Sequence, residues 1–340
     1  MNKEEYRKQM AEAFANILEE KGLEWRKEWS GVGGDAPHNA VTKANYKGIN
    51  SFWLSLVALS KGYTDSRWAT MVQIMDKNGK YHPKEKWHLK AGSKATYVEY
   101  WYPFDTKNKK ALTWEEYKIE LANGRRDDEF RLSARYTPVF NANDIEGMTQ
   151  QETEPSVDMT IDDLVRTLSD NMGVPIILDG GDRAFYAPFQ DKIHLPSPES
   201  FESEYAFNAT VLHELSHSTG HSKRLNRADN GMYGLESYAY EELIAEMCSC
   251  FMGCGLSAQP TQEHIDNHKA YVQSWIRSIR EKPDCLIRAI KEAQQAANYM
   301  DWKAGLITDF EYVKACQSVK DITSPDALLQ KACIEPDLER

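Results

Sequence analysis

The sequence contains no run of about 18 consecutive apolar residues, and its first residues mix Lys, Arg and Glu without an apolar core. These absences argue against a membrane span and a signal peptide, so we expect a cytoplasmic protein without a membrane partner. Cysteine is missing from the first 247 residues, and no CxxC pair occurs among the six that follow: Cys248, Cys250, Cys254, Cys285, Cys316 and Cys333. We therefore expect reduced thiols and no disulfide framework of the kind found in secreted proteins.

Basic residues are outnumbered in the chain as a whole, since 41 Lys and Arg against 52 Asp and Glu give a formal net charge of −11. The imbalance is uneven: residues 1–137 hold 24 Lys and Arg against 19 Asp and Glu, whereas residues 138–340 hold 17 against 33. Residues 36–94 alone hold 10 basic and 3 acidic residues, and seven of the nine Trp precede residue 138. A basic, aromatic half indicates a polyanionic partner, with a solvated basic face as the alternative.

The length predicts two domains, because it is roughly twice that of a usual domain. Apolar periodicity predicts helices at residues 4–21, 51–61 and 238–252, and residue types predict strands at 96–102 and 131–140 around a polar helix or loop at 112–123. A linker is predicted at 148–156, and a hairpin with strands at 184–187 and 192–195 interrupts the helical second half. The sequence thus predicts an α+β fold.

The strongest chemical signal is the HExxH motif HELSH at residues 213–217. On a helix, His213 and His217 lie on one face within about a turn, so their imidazoles can share one tetrahedral cation. Glu214 lies about 100° round the helix and can act on a water at that cation as general base. The preceding apolar residues favour a helix, and Asn208 or Thr210 is the predicted N-cap.

The motif needs a third ligand, and the sequence offers several positions. His221 would lie at a different height on the same helix, and Gly220 indicates that the helix ends before it. Lys223 stands where the HExxHxxGxxH class has its third His, which excludes that class. The helix at 238–252 carries Glu242 and Glu246 on one face. We favour Glu242 as the ligand and Glu246 as the carboxylate that orients a ligating His, and the reverse assignment stays open.

Several segments together resemble one family. Residues 210–227 (TVLHELSHSTGHSKRLNR) and 238–246 (YAYEELIAE) resemble the zincin-like metallopeptidase domain of ArdC-type antirestriction proteins, which conjugative plasmids and other mobile elements carry. Further segments resemble the single-stranded-DNA-binding domain of that family: 25–29 (WRKEW), 39–42 (NAVT), 46–50 (YKGIN), 67–70 (RWAT) and 139–141 (VFN). Residues 184–186 and 191–196 match the strand pair before the zinc helix, whereas residues 107–128 are poorly matched.

The resemblance implies a small α+β single-stranded-DNA-binding domain at 1–147, a linker at 148–160 and a mostly helical zincin-like metallopeptidase domain at 161–340. Binding single strands without sequence preference needs cations for phosphates and aromatic faces for bases. The candidates are Lys43, Tyr46, Lys47, Arg67, Trp68, Lys84, Lys86 and Trp87, with Arg67, Trp68 and Tyr46 ranked first. Trp68 and Trp87 are expected to be exposed, because Trp68 lies between Arg67 and Ala69 and Trp87 lies between Lys86 and His88.

The resemblance also implies peptide hydrolysis at a zinc ion, or another divalent metal, held by His213, His217 and Glu242. Asp191 and the strand at 192–195 are a possible edge for an extended peptide substrate. Tyr233 or Tyr238 is a candidate for stabilising the oxyanion. Three functions remain open: an antirestriction factor that coats single-stranded plasmid DNA and carries a protease, a DNA-coating protein with a catalytically silent metal site, and a cytosolic metallopeptidase without DNA function.

Overall fold

The structure is a computed structural model that describes residues 2–22, 36–77, 79–82, 84–149, 160–201, 203–227, 235–252 and 262–320. Helices and strands are mixed, so the predicted α+β class is confirmed. Contacts divide the chain into two compact units, Met1–Val98 with Pro138–Thr308 and Glu99–Thr137 with Asp309–Arg340. The domain limits taken from the sequence stay a prediction, because the first unit draws on both predicted domains. Most of the predicted linker lies outside the described residues.

The helices follow the apolar periodicity of the sequence, within a few residues of the predicted bounds. No helix in the described part of the chain is long and apolar enough to cross a membrane. The bounds are α1 Lys3–Lys21, α2 Gly48–Lys61, α3 Met71–Met75, α4 Trp114–Ala122, α5 Ile161–Met172, α6 Glu204–Ser218, α7 Leu235–Met252, α8 Gln262–Glu281, α9 Pro283–Lys303 and α10 Asp309–Lys320.

Within the described ranges the strands form three sheets, with orders β1-β2-β6-β4-β5, β8-β10-β9 and β3-β7. In the first sheet β1 runs parallel to β2, and β2 runs antiparallel to β6 with Trp68 opposite Asn141. The strand bounds are β1 His38–Asn39, β2 Arg67–Thr70, β3 His88–Leu89, β4 Thr96–Asp105, β5 Lys110–Ala111, β6 Phe130–Asn141, β7 Ile145–Glu146, β8 Ile176–Leu178, β9 Phe185–Ala187 and β10 Lys192–Leu195.

Helix α1 packs on the helices that follow the metal motif. It begins at Asn2, whose side chain accepts a hydrogen bond from the Glu5 N–H, and it ends at Gly22 with a positive φ of 54°. Its apolar stripe is buried against α8, α9 and α2. On its outer face, the Arg280 guanidinium of α8 reaches carboxylates of α1, including Glu12 at 3.1 Å. The first helix of the chain is thereby fixed to the last long helices of the same unit.

Trp68 lies in the core of the first unit. Its exposed fraction is 1%, and it packs in a cluster with Leu54, Ala58, Val98 and Val139. The prediction that Trp68 is exposed is therefore wrong. Helix α2 covers the Trp68 ring through Leu54 and Ala58, and Val139 of the neighbouring strand β6 packs beside it, so burial is decided by residues far away in the sequence.

The sheet β8-β10-β9 lies in the part of the first unit that carries the metal motif. The predicted hairpin is confirmed, since β9 pairs antiparallel with β10. Strand β8, which the sequence analysis did not predict, pairs parallel with the other side of β10. The predicted substrate edge at 192–195 is therefore wrong, because β10 is the central strand of this sheet and is paired on both sides, with β8 and with β9.

Candidate functional site

Helix α6 carries the HExxH motif and starts five to seven residues earlier than predicted. Ser203 is its N-cap, with a side-chain oxygen 3.0 Å from the Ala206 nitrogen. The predicted caps are wrong: Asn208 is buried inside the helix, and the Thr210 hydroxyl donates to the Ala206 carbonyl at 2.9 Å. The helix ends at Ser218, which leaves the two motif histidines in its last two turns.

The side chains of His213, His217 and Glu242 converge between α6 and α7. Glu242 Oε2 lies 3.5 Å from His213 Nε2, and its Oε1 lies 3.5 Å from His217 Nε2. The two Nε2 atoms are 3.2 Å apart, and one ligand atom from each of the three residues lies within 4.8 Å of the others. Two imidazoles and one carboxylate at this spacing can bind a divalent metal ion.

The electrostatics of this cluster follow from burial and opposite charge. Burial alone would raise the pKa of the Glu242 carboxyl, but hydrogen bonds from His213 and His217 outweigh it and hold that pKa well below its usual range. Burial opposes a charge on His213, yet the carboxylates of Glu246 and Glu242 raise its pKa. The pKa of His217 is likewise raised, against burial, by hydrogen bonds to Glu241 and Glu242. The carboxylates therefore favour a cation at this position.

Each histidine turns its second nitrogen toward a carboxylate. His213 Nδ1 faces Glu246 Oε1 at 3.8 Å, as the sequence analysis expected of a carboxylate that orients a ring. His217 Nδ1 faces Glu241 Oε1 at 3.7 Å, and the same oxygen accepts from Arg227 Nη2 at 2.6 Å. These roles of Glu241 and Arg227 were not predicted from the sequence. The only signal was that Glu241 precedes Glu242, which turns it about 100° round the helix toward the other histidine.

Glu214 is held by the outer strand β9. It is 4% exposed, and its Oε2 accepts a hydrogen bond of 2.8 Å from the Tyr186 backbone N–H. Glu214 belongs to the helix that carries both histidines, and its carboxylate lies between that helix and the sheet. A carboxylate fixed beside a candidate metal site is suited to accept a proton from a water molecule.

Asp191 and His221 lie outside the cluster of possible ligands. Asp191 occupies the turn between β9 and β10 with a φ of 53°, and its carboxylate is paired with the buried Arg224 guanidinium. It also accepts from the Tyr186 hydroxyl at 2.7 Å and faces His221 Nδ1 at 3.8 Å. Asp191 is therefore engaged in a local ion-pair network, which corrects its expected place along a substrate edge.

The candidate DNA-binding residues divide into two groups. Lys43, Lys47, Lys84 and Lys86 are exposed, as phosphate contacts require. Arg67 is 7% exposed, and its guanidinium is paired with Asp65 through a bond of 2.7 Å between Nη2 and Oδ2. Like Trp68, Arg67 is occupied inside the first unit, so the expectation that these two residues contact DNA is wrong.

The other aromatic candidates are partly covered. Tyr46 is half-buried and packs against the cluster that holds Trp68. Trp87 is half-buried, stacks on the His82 ring at 3.9 Å between centroids and donates its indole N–H to Glu85. Among the oxyanion candidates Tyr238 is 55% exposed, whereas Tyr233 lies outside the described residues. The segment 25–29 also lies outside them.

Two family models match the chain. Residues 4–140 match the N-terminal domain of the anti-restriction factor ArdC, and residues 163–292 match a zincin-like metallopeptidase domain. The chain belongs to the ArdC-like proteins. The metallopeptidase match includes the motif helix α6 together with α7, so the converging residues lie within it.

Relatives of the ArdC-like chain include larger proteins. Two DNA primases named TraC from Escherichia coli are 32% and 31% identical over 309 and 306 residues, each match covering 88% of this chain. The chain spans only 27% and 20% of those primases. Protein y4eC of Sinorhizobium fredii is 27% identical over 278 residues, covering 82% of this chain and 84% of that protein.

Two crystal structures of the antirestriction protein ArdC from plasmid R388, one metal-free and one Mn(II)-bound, have a TM-score of 0.66 and 26% identity to this chain. They cover 89% of it and 98% and 99% of their own chains. The residues present here fit a divalent metal, because both Nε2 atoms and the Glu242 carboxylate face one another while Glu246 and Glu241 face the opposite ring nitrogens.

Proposed function

We propose that this chain is an antirestriction protein of a conjugative plasmid or other mobile element, working in the cytoplasm. Residues 1–147 bind single-stranded DNA without strong sequence preference, residues 148–160 are a linker, and residues 161–340 form a zinc-dependent peptidase that acts on a protein substrate. The observation that carries the peptidase assignment is the convergence of His213, His217 and Glu242 next to the anchored carboxylate of Glu214.

In this proposal His213, His217 and Glu242 hold the metal. When bound, a zinc ion polarises a scissile carbonyl and lowers the pKa of a coordinated water. Glu214 takes the proton from the attacking water and returns it to the leaving nitrogen. Glu246 and Glu241 hold the two imidazole rings in the orientation that directs Nε2 toward the metal.

The DNA-binding part of the proposal is supported by the match of residues 4–140 to the ArdC N-terminal domain and by the exposed lysines. Lys43, Lys47, Lys84 and Lys86 remain the proposed phosphate contacts, because none of them is buried. Tyr46 and Trp87 remain proposed contacts through the parts of their rings that stay accessible.

The test is plasmid transfer into a restricting recipient with wild-type chain, Glu214→Gln and Glu204→Gln. Gln has nearly the shape of Glu but cannot accept the proton, so we expect Glu214→Gln to lose protection. Glu204 is an exposed residue in the first turn of the same helix and serves as the matched control, expected to protect like wild type.

A chain whose metal site is catalytically silent gives a different pattern. Glu214→Gln would then protect as well as Glu204→Gln, and proteolysis would not be the mechanism. Binding to a labelled single strand of DNA is measured beside the transfer assay. It distinguishes the third function, because a peptidase without DNA function would show no affinity for the strand.

A further inference from the structure

The second unit presents a sheet face on which aromatic rings and arginines alternate. Successive side chains of a strand point to opposite faces, which places Tyr100, Tyr102 and Phe104 of β4 on one face. The guanidinium of Arg131 lies 4.7 Å from the Phe104 ring centroid, and that of Arg135 lies 5.7 Å from the Tyr102 centroid, so these β6 residues share the face. We call these five residues the aromatic–arginine ladder.

The rings of the ladder are arranged in a row and remain accessible. The centroids of Tyr100 and Tyr102 are 6.5 Å apart, and their planes are inclined by only 15°. Tyr100 is 54% exposed, both arginines are exposed, and Tyr102 and Phe104 are half-buried. A large exposed aromatic surface rimmed by polar groups is characteristic of an interaction site.

The charge on this face has one sign. On this face Tyr102 lies between Tyr100 and Phe104, and Ser133 lies between Arg131 and Arg135. None of these positions carries a carboxylate. The acidic residues of β4 are Glu99 and Asp105, which alternate with the tyrosines, point to the opposite face of the strand and are buried. Among the described residues neither Arg131 nor Arg135 forms an ion pair.

The opposite face of strands β4 and β6 is covered by other residues of the second unit. The Tyr117 ring of α4 packs edge-on against Phe130 of β6, with ring centroids 5.1 Å apart. Arg125 pairs with the buried carboxylate of Asp105 and stacks on Phe130 at 4.5 Å. One face of β4 and β6 therefore contributes to the interior of the unit, while the ladder faces outward.

We propose that the aromatic–arginine ladder is the base-stacking surface for single-stranded DNA, an assignment that rests on the proposed function. Exposed ring faces accept unpaired bases of any sequence, and guanidinium groups bind phosphates and stack on rings. Duplex bases are already stacked on one another, so the ladder selects single strands. The burial of Trp68 and Arg67 removes the sites favoured by the sequence and leaves the ladder as a built platform for stacking.

The test is fluorescence anisotropy of a labelled oligo(dT) strand with the full chain. Tyr100→Ala/Tyr102→Ala removes two ring faces, and we expect affinity to fall at least about 10-fold, since each stacked base is stabilised by its aromatic partner. Tyr100→Phe/Tyr102→Phe keeps both rings and is expected to bind within about two-fold of wild type, because the ring face rather than the hydroxyl stacks. Ile119→Ala, in α4 of the same unit and also 54% exposed, is the matched control.

Arg131→Gln/Arg135→Gln tests the phosphate contacts separately. Each cation that contacts a single strand contributes about 0.7 to the slope of log affinity against log salt, so the double variant should lose about 1.4 from the slope. The tyrosine-to-alanine variant should keep the wild-type slope, because stacking releases no counterions. A labelled duplex of the same length should bind weakly and be unaffected by the tyrosine changes.

Each contrary result has a distinct meaning. If wild type binds the strand and both tyrosine variants bind like Ile119→Ala, the ladder is not the DNA surface, while the proposed function stands. If wild type does not bind, the proposed DNA function itself fails. If the tyrosine-to-alanine variant changes the sedimentation of the chain and leaves DNA affinity unaltered, the face is an interface between copies, which also overturns the proposal. Urea midpoints equal to that of Ile119→Ala show that the variants are folded.

Discussion

The Tyr186 backbone N–H donates a hydrogen bond of 2.8 Å to Glu214 Oε2, which fastens the candidate general base to the outer strand of the small sheet. Because the donor is a main-chain group of β9, the bond ties the position of the carboxylate to the fold and leaves its second oxygen for chemistry. The distance from helix to strand is thereby matched to the length of a glutamate side chain.

Shortening this side chain should therefore impair catalysis without removing the metal. Glu214→Asp shortens the side chain by one methylene, so the carboxylate can no longer reach both the attacking water and the Tyr186 N–H. We expect kcat to fall about 100-fold or more. Metal affinity should be unchanged, since no ligand is altered. Steady-state cleavage assays with Glu204→Asp as control check this, and a Glu214→Asp variant with wild-type kcat would show that the anchor is irrelevant.

The carboxylates that face the two histidines should set metal affinity without being ligands. Glu246→Gln and Glu241→Gln each replace the charge opposite an Nδ1 atom, and we expect zinc affinity to fall about 10-fold to 100-fold in each variant. Competition against a chromophoric chelator measures this, with the exposed Glu281→Gln as control. If Glu246→Gln abolishes binding while Glu242→Gln only weakens it, the two residues exchange their proposed roles.

Asp191 should stabilise the fold above acidic pH. Its ion pair with Arg224 outweighs the effect of burial and holds the pKa of the Asp191 carboxyl well below its usual range. A depressed pKa contributes stability above about 4, the value in the unfolded chain, and the contribution disappears as the pH falls below it. Asn tolerates the left-handed backbone at this turn, so Asp191→Asn isolates the loss of charge.

We expect Asp191→Asn to lower the free energy of unfolding by about 3 kcal/mol at pH 7, because it leaves a buried guanidinium without its carboxylate. The difference from wild type should shrink toward pH 3 in urea titrations. A difference that is constant between pH 3 and pH 7 would mean that packing rather than charge is responsible.

Asp301 should have the opposite pH dependence. Burial raises the pKa of its carboxyl to about 6, against the attraction of Lys47. The folded chain therefore keeps a proton that the unfolded chain releases near pH 4, so stability falls as the pH rises from 4 to 6. Asp301→Asn removes this penalty, and we expect about 3 kcal/mol greater stability at pH 7 and none at pH 3.5. An equal gain at both pH values in urea unfolding would contradict the assignment.

Local sequence signals were sufficient for the elements whose pattern is local. The stripe of α1, the strands β4 and β6, the hairpin β9–β10 and the spacing of His213 and His217 depend on neighbours within a few residues, and the structure has them close to the predicted bounds. The approach of Glu242 to both histidines was expected from its place on a second apolar helix, which is a longer inference.

Features that depend on contacts between residues far apart in the chain could not be predicted from the sequence. Arg67 and Ala69 flank Trp68, yet β6 and α2 cover it, and no local pattern shows which strand lies beside β2. Three-residue β8 is too short to give a periodic signal, so the sequence does not show that a second strand covers β10. Tyr100, Tyr102 and the two arginines were predicted as parts of strands, but their common face follows only from the pairing of β4 with β6.

The metal content of the purified chain decides whether His213, His217 and Glu242 together bind one divalent metal ion. After dialysis against excess zinc and then metal-free buffer, elemental analysis should find about one zinc per wild-type chain and per Glu204→Gln chain. Glu242→Gln should retain far less, because it loses an anionic ligand from a site with three protein ligands. Equal zinc in wild type and in Glu242→Gln, or no zinc in either, would show that these three residues do not form a metal site.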